Sequence, residues 1–150
     1  MIALIQRVSR ARVDVADVGV TGSIGPGLCV FLCVVAGDTE ADAEWLADKV
    51  SKMRLFEDTE GRFDAALKDT GGSLLLVSQF TLAGDARKGN RPSFIRAARP
   101  NEAIPLLECF ASRVRESHGI TVEEGRFGAS MTVHIENDGP VTLQLDTDSR

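Results

Sequence analysis

Residues Leu28 to Ala36 form nine apolar positions without a break, behind a stretch punctuated by Gly19, Gly22, Gly25 and Gly27. A run this short cannot span a bilayer, which takes about 20 apolar residues. It lacks the spacing of an amphipathic helix, and its branched and aromatic members suit a strand buried on both faces. A second run, Leu74–Leu82, is announced by Gly71-Gly72 and reads the same way. Two such strands need cover on both sides, so the chain must supply helices or further sheet.

The covering elements are legible. Residues 2–8 read as a strand, and Arg12-Val13-Asp14-Val15 alternates like a half-buried one. Thr39 with Asp42 marks a helix start, followed by Ala43, Leu46, Ala47, Val50 and Met53 on one face. Asn101 reads as the cap of a second helix, with Pro105 in its first turn, where a missing N–H is tolerated. Its buried face is Leu106, Leu107, Phe110 and Val114, and His118-Gly119 closes it. Ser130–Glu136 alternates, Asn137-Asp138-Gly139-Pro140 reads as a hairpin turn, and Val141–Leu145 as the returning strand. The expected fold is α/β: one sheet-dominated domain over residues 1–150 with two main helices, ending in a frayed tail, Asp146–Arg150.

Composition narrows the chemistry. With 43% hydrophobic and 26% charged residues the chain is not intrinsically disordered. No basic region precedes the first apolar stretch, so no secretory leader is expected, and a soluble cytoplasmic protein is. Cys29, Cys33 and Cys109 are odd in number and lack framework spacing; they read as reduced thiols. Cys29-x3-Cys33 has no second Cys or His cluster to complete a metal site, and no GxGxxG or Walker sequence calls for a nucleotide cofactor. Neither His118 nor His134 neighbours a Ser or Cys elbow, which disfavours a Ser-His-Asp triad.

A net charge of −5 argues against a surface that coats nucleic acid. Yet Arg87, Lys88, Arg91, Arg96 and Arg99 follow one another with no acid between them, and Arg7, Arg10 and Arg12 crowd the first strand. The pattern fits either a solvated loop or a protein that touches a few phosphates at one place. Beside that loop, Ser78-Gln79-Phe80-Thr81 sets hydroxyls and an amide at the end of a buried strand. They read either as hydrogen-bonded strand residues around a core Phe80 or as groups carried into a site.

Four segments occur in order: Ser78-Gln79-Phe80-Thr81-Leu82, Gly89-Asn90-Arg91-Pro92-Ser93-Phe94, Gly125-Arg126-Phe127-Gly128-Ala129-Ser130-Met131 and Asn137-Asp138-Gly139-Pro140-Val141-Thr142. With the opening Ile5-Gln6-Arg7-Val8 and the hairpin Gly22–Leu28, they resemble the signatures of the D-aminoacyl-tRNA deacylase family from Met1 to about Leu145. The resemblance implies a barrel-like sheet and hydrolysis of the ester joining a D-amino acid to the 3′-terminal adenosine of tRNA. It implies a homodimer with no metal or cofactor, whose partners include neither membrane nor DNA. A cis Gly139-Pro140 would enter the partner's active site, with Asn137 in the same motif and Arg7 holding the dipeptide. The filter would exclude L-aminoacyl groups by backbone contact and pass glycyl-tRNA. Ser78, Gln79, Phe80 and Thr81 would form the catalytic segment, Ser78 and Gln79 also lining the adenosine pocket. Thr81 is then either a nucleophile or a bystander to water activated by the ribose 2′-hydroxyl; the absence of an adjacent base favours the second. Phe127 and Met131 either pack on the adenine or fill the core. Arg87, Lys88, Arg91 and Arg96 are the candidates for acceptor-stem phosphates.

Overall fold

A computed structural model describes all 150 residues, Met1–Arg150. The elements are β1 (Ile2–Val15), β2 (Gly19–Ile24), β3 (Gly27–Cys33), α1 (Glu40–Lys52), β4 (Phe56–Glu57), β5 (Phe63–Ala65), α2 (Leu67–Thr70), β6 (Ser73–Ser78), α3 (Pro100–His118), β7 (Val122–Glu124) and β8 (Met131–Asp146). Short 3-10 turns cover Phe80–Ala83 and Thr147–Ser149. No helix is long and apolar enough to cross a membrane.

The sheet is organised around β1. One edge of β1 pairs antiparallel with β8 from Ile2↔Asp146 to Val15↔Met131. The other edge pairs with β3 over Ile2–Val8 and with β2 over Ala11–Val15, so the two expected N-terminal strands are one. Beyond β3, the parallel strands β6 and β7 complete the six-stranded sheet. It curls until β2 meets β7: a Cβ placed on Gly22 would lie 2.7 Å from the Glu124 carbonyl oxygen, so only glycine allows this nearly closed, barrel-like approach.

Strand periodicity divides the core. Leu28, Val30, Leu32, Leu74 and Leu76 face α1 and α3 and meet Leu46, Val50, Leu107, Phe110 and Val114. Cys29, Leu75 and Val77 face the other way, into a smaller cluster with Val13, Val15 and Ile24. That is why the runs read as unbroken: both faces are covered. Burial pushes the Cys29 thiol up to about 12, leaving an inert core residue. In β1 a bulge sets Val8 and Arg10 opposite the neighbours Asn137 and Glu136. The extra residue, Ser9, reverses the alternation, so Ala3 and Ile5 serve the helix-side core while Val13 and Val15 serve the other.

Helix α1 starts where Thr39 and Asp42 predict, the Asp42 carboxylate accepting from the Thr39 N–H at 2.8 Å and its hydroxyl at 2.6 Å. Four expectations are corrected. Pro100 opens α3 with Arg99, not Asn101, as its cap, because a proline's fixed φ and missing N–H suit the first helical position. Pro105 therefore lies in the second turn, where it and Asn101, the residue whose carbonyl it cannot satisfy, are both exposed. Strand β6 ends at Ser78 rather than Leu82. The tail is not frayed: Thr147 is buried, its N–H donates to the Met1 carbonyl at 2.9 Å, and Arg150 reaches Asp42 at 2.6 Å.

Both histidines are engaged in structural pairs. Nε2 of His118 lies 2.7 Å from Asp48, which also accepts two hydrogen bonds from Arg113 at 2.9 and 3.0 Å and so ties α1 to α3. The Arg113 guanidinium, then His118, hold the Asp48 carboxyl well below the usual carboxylate range. His134 stands exposed on β8, 2.7 Å from Asp14.

Phe110 is fully buried between helix and sheet, and Phe127 is exposed. Phe110→Ala is expected to cost about 3–5 kcal/mol in urea denaturation, and Phe127→Ala within about 0.5 kcal/mol of nothing. Because the folded Asp48 carboxyl lies below the unfolded value of about 3.9, its contribution is present above that pH and is lost as pH falls through the folded value. Asp48→Asn should lower stability at neutral pH and flatten the acid limb of a stability–pH curve.

Candidate active site

The parallel strands β3, β6 and β7 end on the same side of the sheet, where open α/β sheets hold their ligands. At that end β6 stops: the Gln79 N–H makes a last bond to the Leu32 carbonyl at 2.9 Å, and the chain turns into the Phe80–Ala83 3-10 turn. A third apolar cluster of Ile2, Cys33 and Ala83 lies beneath the turn. The buried Cys33 thiol lies 3.5 Å from the Phe80 carbonyl.

Above that floor, Phe80 and Thr81 are exposed. Phe80 is thus not core; it stands edge-on to Phe94, with centroids 5.2 Å apart. The Gln79 amide donates to the Thr81 hydroxyl. No histidine or carboxylate bonds that hydroxyl, since His118 and His134 are committed to Asp48 and Asp14. An amide donor orients a hydroxyl but does not take its proton. The first N–H groups of the turn precede its own hydrogen-bond ladder, which suits them to receive an oxyanion.

The loop after β7 reaches the same end, the Gly125 N–H bonding the Leu76 carbonyl at 2.9 Å. Phe127 projects from it into solvent. Met131 instead packs half-buried against the smaller core, its sulfur 3.3 Å from the Arg126 nitrogen. The basic loop is closed by reciprocal 2.8 Å bonds between Asp85 and Ser93. Its cations differ: Arg87 is held by Asp85 at 2.6 Å and Arg96 lies 3.9 Å from Asp148, whereas Lys88 and Arg91 are exposed and unpaired.

The Asn137–Pro140 segment is not a hairpin turn. The strand segments before and after it both pair with β1, and from Gln6 to Val8 the partner runs from Thr142 back to Asn137, so the surplus residues protrude from a continuous β8. A hairpin would need the two segments to bond each other; β1 takes both. Asn137 closes the base of the protrusion, its Oδ1 accepting from the Val141 N–H at 3.1 Å and its amide donating to the Thr142 hydroxyl at 3.0 Å. The Gly139-Pro140 bond is cis, and Gly139 has φ +119°, a value that favours glycine.

Beneath the protrusion lies Arg7, only 6% exposed. Its guanidinium donates to the Leu55 carbonyl at 2.8 Å and to the Asp138 carbonyl at 3.3 Å, and stands 5.3 Å from the centre of the Phe63 ring. Leu55, Glu57 and Phe63 escaped the sequence reading; an arginine in an apolar alternation was the one sign that buried partners existed.

The two groups do not meet within one chain. Ser78 pairs with Leu32 and Leu32 with Ala3, whereas the protrusion leaves β8 opposite Arg7. Four residues along β1 and three strands across correspond to about 13 Å and about 14 Å, hence roughly 19 Å between them.

The family model described as D-Tyr-tRNA(Tyr) deacylase matches residues 4–146. A D-aminoacyl-tRNA deacylase of Ruegeria sp. (strain TM1040) is 52% identical over 150 residues, covering 100% of this chain and 95% of the relative. One of Thermotoga petrophila is 52% identical over 147 residues, covering 98% and 97%. Among solved structures, one described as a c-Myc DNA unwinding element binding protein superposes with TM-score 0.91 at 38% identity over 97% of this chain and 98% of that one. A probable eukaryotic D-amino acid tRNA deacylase shares the fold, with TM-score 0.84 at 17% identity over 96% and 97%. Matched along nearly its whole length, the chain belongs to the D-Tyr-tRNA(Tyr) deacylase family.

Proposed function

We infer that this protein hydrolyses D-aminoacyl-tRNA, freeing the D-amino acid and the tRNA, with the Ser78–Thr81 turn holding the ester and the substrate supplying the base. The carrying observation is that the Thr81 hydroxyl has the Gln79 amide as its only side-chain partner. A nucleophilic threonine needs a base within reach, and none is there. The vicinal 2′-hydroxyl of the terminal ribose assists water instead. Water adds to the ester carbonyl carbon and the oxyanion accepts from the Phe80 and Thr81 N–H groups. The bond to the 3′ oxygen then breaks, and that oxygen leaves with a proton. One such donor is worth about 3–4 kcal/mol, enough for an already activated ester.

Ser78 and Gln79 border the adenosine pocket, and the exposed Phe127 is the residue for the adenine, at about 1–3 kcal/mol for a stacked base. Met131 supports it from the core rim. The Gly139-Pro140 backbone occupies the space an L side chain would need, so the filter works by exclusion and passes glycine. The separation of roughly 19 Å within a chain supports a homodimer in which each protrusion completes the partner's site. The open outer edge of β8, the strand that carries the protrusion, supports the same arrangement. An acidic chain with one basic loop fits the acceptor end of a tRNA better than a DNA duplex.

D-Tyr-tRNA and Gly-tRNA should lose their esters after metal chelation while L-Tyr-tRNA is spared; survival of all three would remove the activity. Thr81→Ala should retain most of the single-turnover rate, and a tRNA ending in 2′-deoxyadenosine should lose it; the reverse pattern would make Thr81 the nucleophile. Lys88→Ala and Arg91→Ala should each reduce the slope of log affinity against log salt by about 1, while the paired Arg87 and Arg96 change it less.

A further inference from the structure

Strands β4 and β5 form a two-stranded sheet of their own, apart from the main one. A lone hairpin is marginally stable, so what fixes this one to the body matters. Its legs are braced by Arg54 and Asp64 at 2.6 Å, and Phe56 packs against the helix-side core. Phe63 does neither: it is 58% exposed and belongs to no core cluster, and its ring is turned to the Arg7 guanidinium.

Arg7 is the joint between this hairpin and the protrusion. From the hairpin side come the Leu55 carbonyl, the Phe63 ring and the Glu57 carboxylate at 4.0 Å; from the protrusion come the carbonyl and the carboxylate of Asp138, each 3.3 Å from Nε. Nη2 of the guanidinium stands close beside the dipeptide, where a Cβ added to Gly139 would lie 3.0 Å from it. Any change in the tilt of Arg7 therefore alters the room left beside Gly139. A shallow cavity of about 290 Å³, lined by Arg7, Phe56, Glu57, Thr70 and Asp138, leaves the guanidinium room to tilt once a support is gone. Asp138 moves with the protrusion and cannot hold it against the body. The Leu55 carbonyl and the Phe63 ring belong to the other side of the joint.

We propose that Phe63 is a positioning residue for enantiomer discrimination: its ring face fixes the Arg7 guanidinium, which fixes where the Gly139-Pro140 backbone stands. This rests on the reading of that dipeptide as the chiral filter. Phe63 touches no reacting atom, so its loss acts on the discrimination between D and L esters more than on ester cleavage itself.

The test is the ratio of single-turnover rates on D-Tyr-tRNA and L-Tyr-tRNA, per folded full-length protein, with the thermal midpoint measured beside it. Phe63→Ala should lower the D/L ratio about tenfold through gained L-ester cleavage, as expected for a lost cation–π contact beside a buried cation. Phe63→Tyr, which keeps the ring face, should restore the ratio. Phe63→Leu, which keeps bulk without the ring's negative face, should fall between and is read in place of Phe63→Ala if that variant does not fold. An unchanged ratio in Phe63→Ala and Phe63→Leu, with Gly139→Ala collapsing it, overturns the role of Phe63 and leaves the filter standing. An unchanged ratio in Gly139→Ala as well overturns the filter reading itself.

Discussion

Both edges of β1 are spoken for over most of its length, β8 on one side and β3 followed by β2 on the other. A strand bonded on both edges cannot slip by one residue without breaking two ladders and turning its apolar side chains the wrong way. The rest of the architecture follows from that fixed register. The Ser9 bulge lets a single strand serve two cores on opposite faces. The surplus residues of β8 have no edge to bond, so they leave the sheet as a protrusion at one defined place.

That place coincides with a buried charge. A guanidinium removed from water is unfavourable unless its donors are satisfied. Arg7 meets the requirement with main-chain carbonyls of two segments that no regular ladder joins, at Leu55 and Asp138. The same bonds that offset burial therefore also set the relative position of the hairpin and the protrusion. An arginine is suited to this because its donors fan out in a plane while its faces remain free to stack on Phe63.

On the proposed function, the other end of the sheet contributes shape more than reactivity. The end of β6 rests on a small apolar floor, and its turn presents N–H groups, an amide-oriented hydroxyl and an exposed aromatic pair. No group there is tuned to take a proton. An ester activated by its ribose neighbour needs orientation and oxyanion stabilisation more than a strong base. On the proposed function, selectivity and catalysis are borne by separate parts of one sheet, and a homodimer is what would bring them together.

What could be read from the residues alone was whatever depends on near neighbours. The buried strand that opens the Leu28–Ala36 run, the Thr39-Asp42 helix start and the buried stripe from Leu106 to Val114 are set by spacing and by local hydrogen bonds, although that strand ends at Cys33 rather than Ala36. The Ser78–Thr81 segment was visible as polar residues ending a buried strand, and the family resemblance rested on short ordered segments. The Asn137–Pro140 segment has turn chemistry but makes no hairpin, because β1 takes the hydrogen bonds on both sides of it. The tail looked free, yet Thr147 is buried against Met1 from the far end of the chain. The contacts of Arg7 with Leu55, Phe63 and Asp138 join positions 48 to 131 residues apart, and no local pattern encodes them. Composition and periodicity determined the main strands and helices and which of their faces are buried, but not the short β4, β5, β7 and α2 or where β3 and β6 end. Only the tertiary structure decided which edges pair, where the surplus backbone emerges and what surrounds the buried charge, because those depend on hydrogen-bond partners and charges brought together from distant parts of the chain.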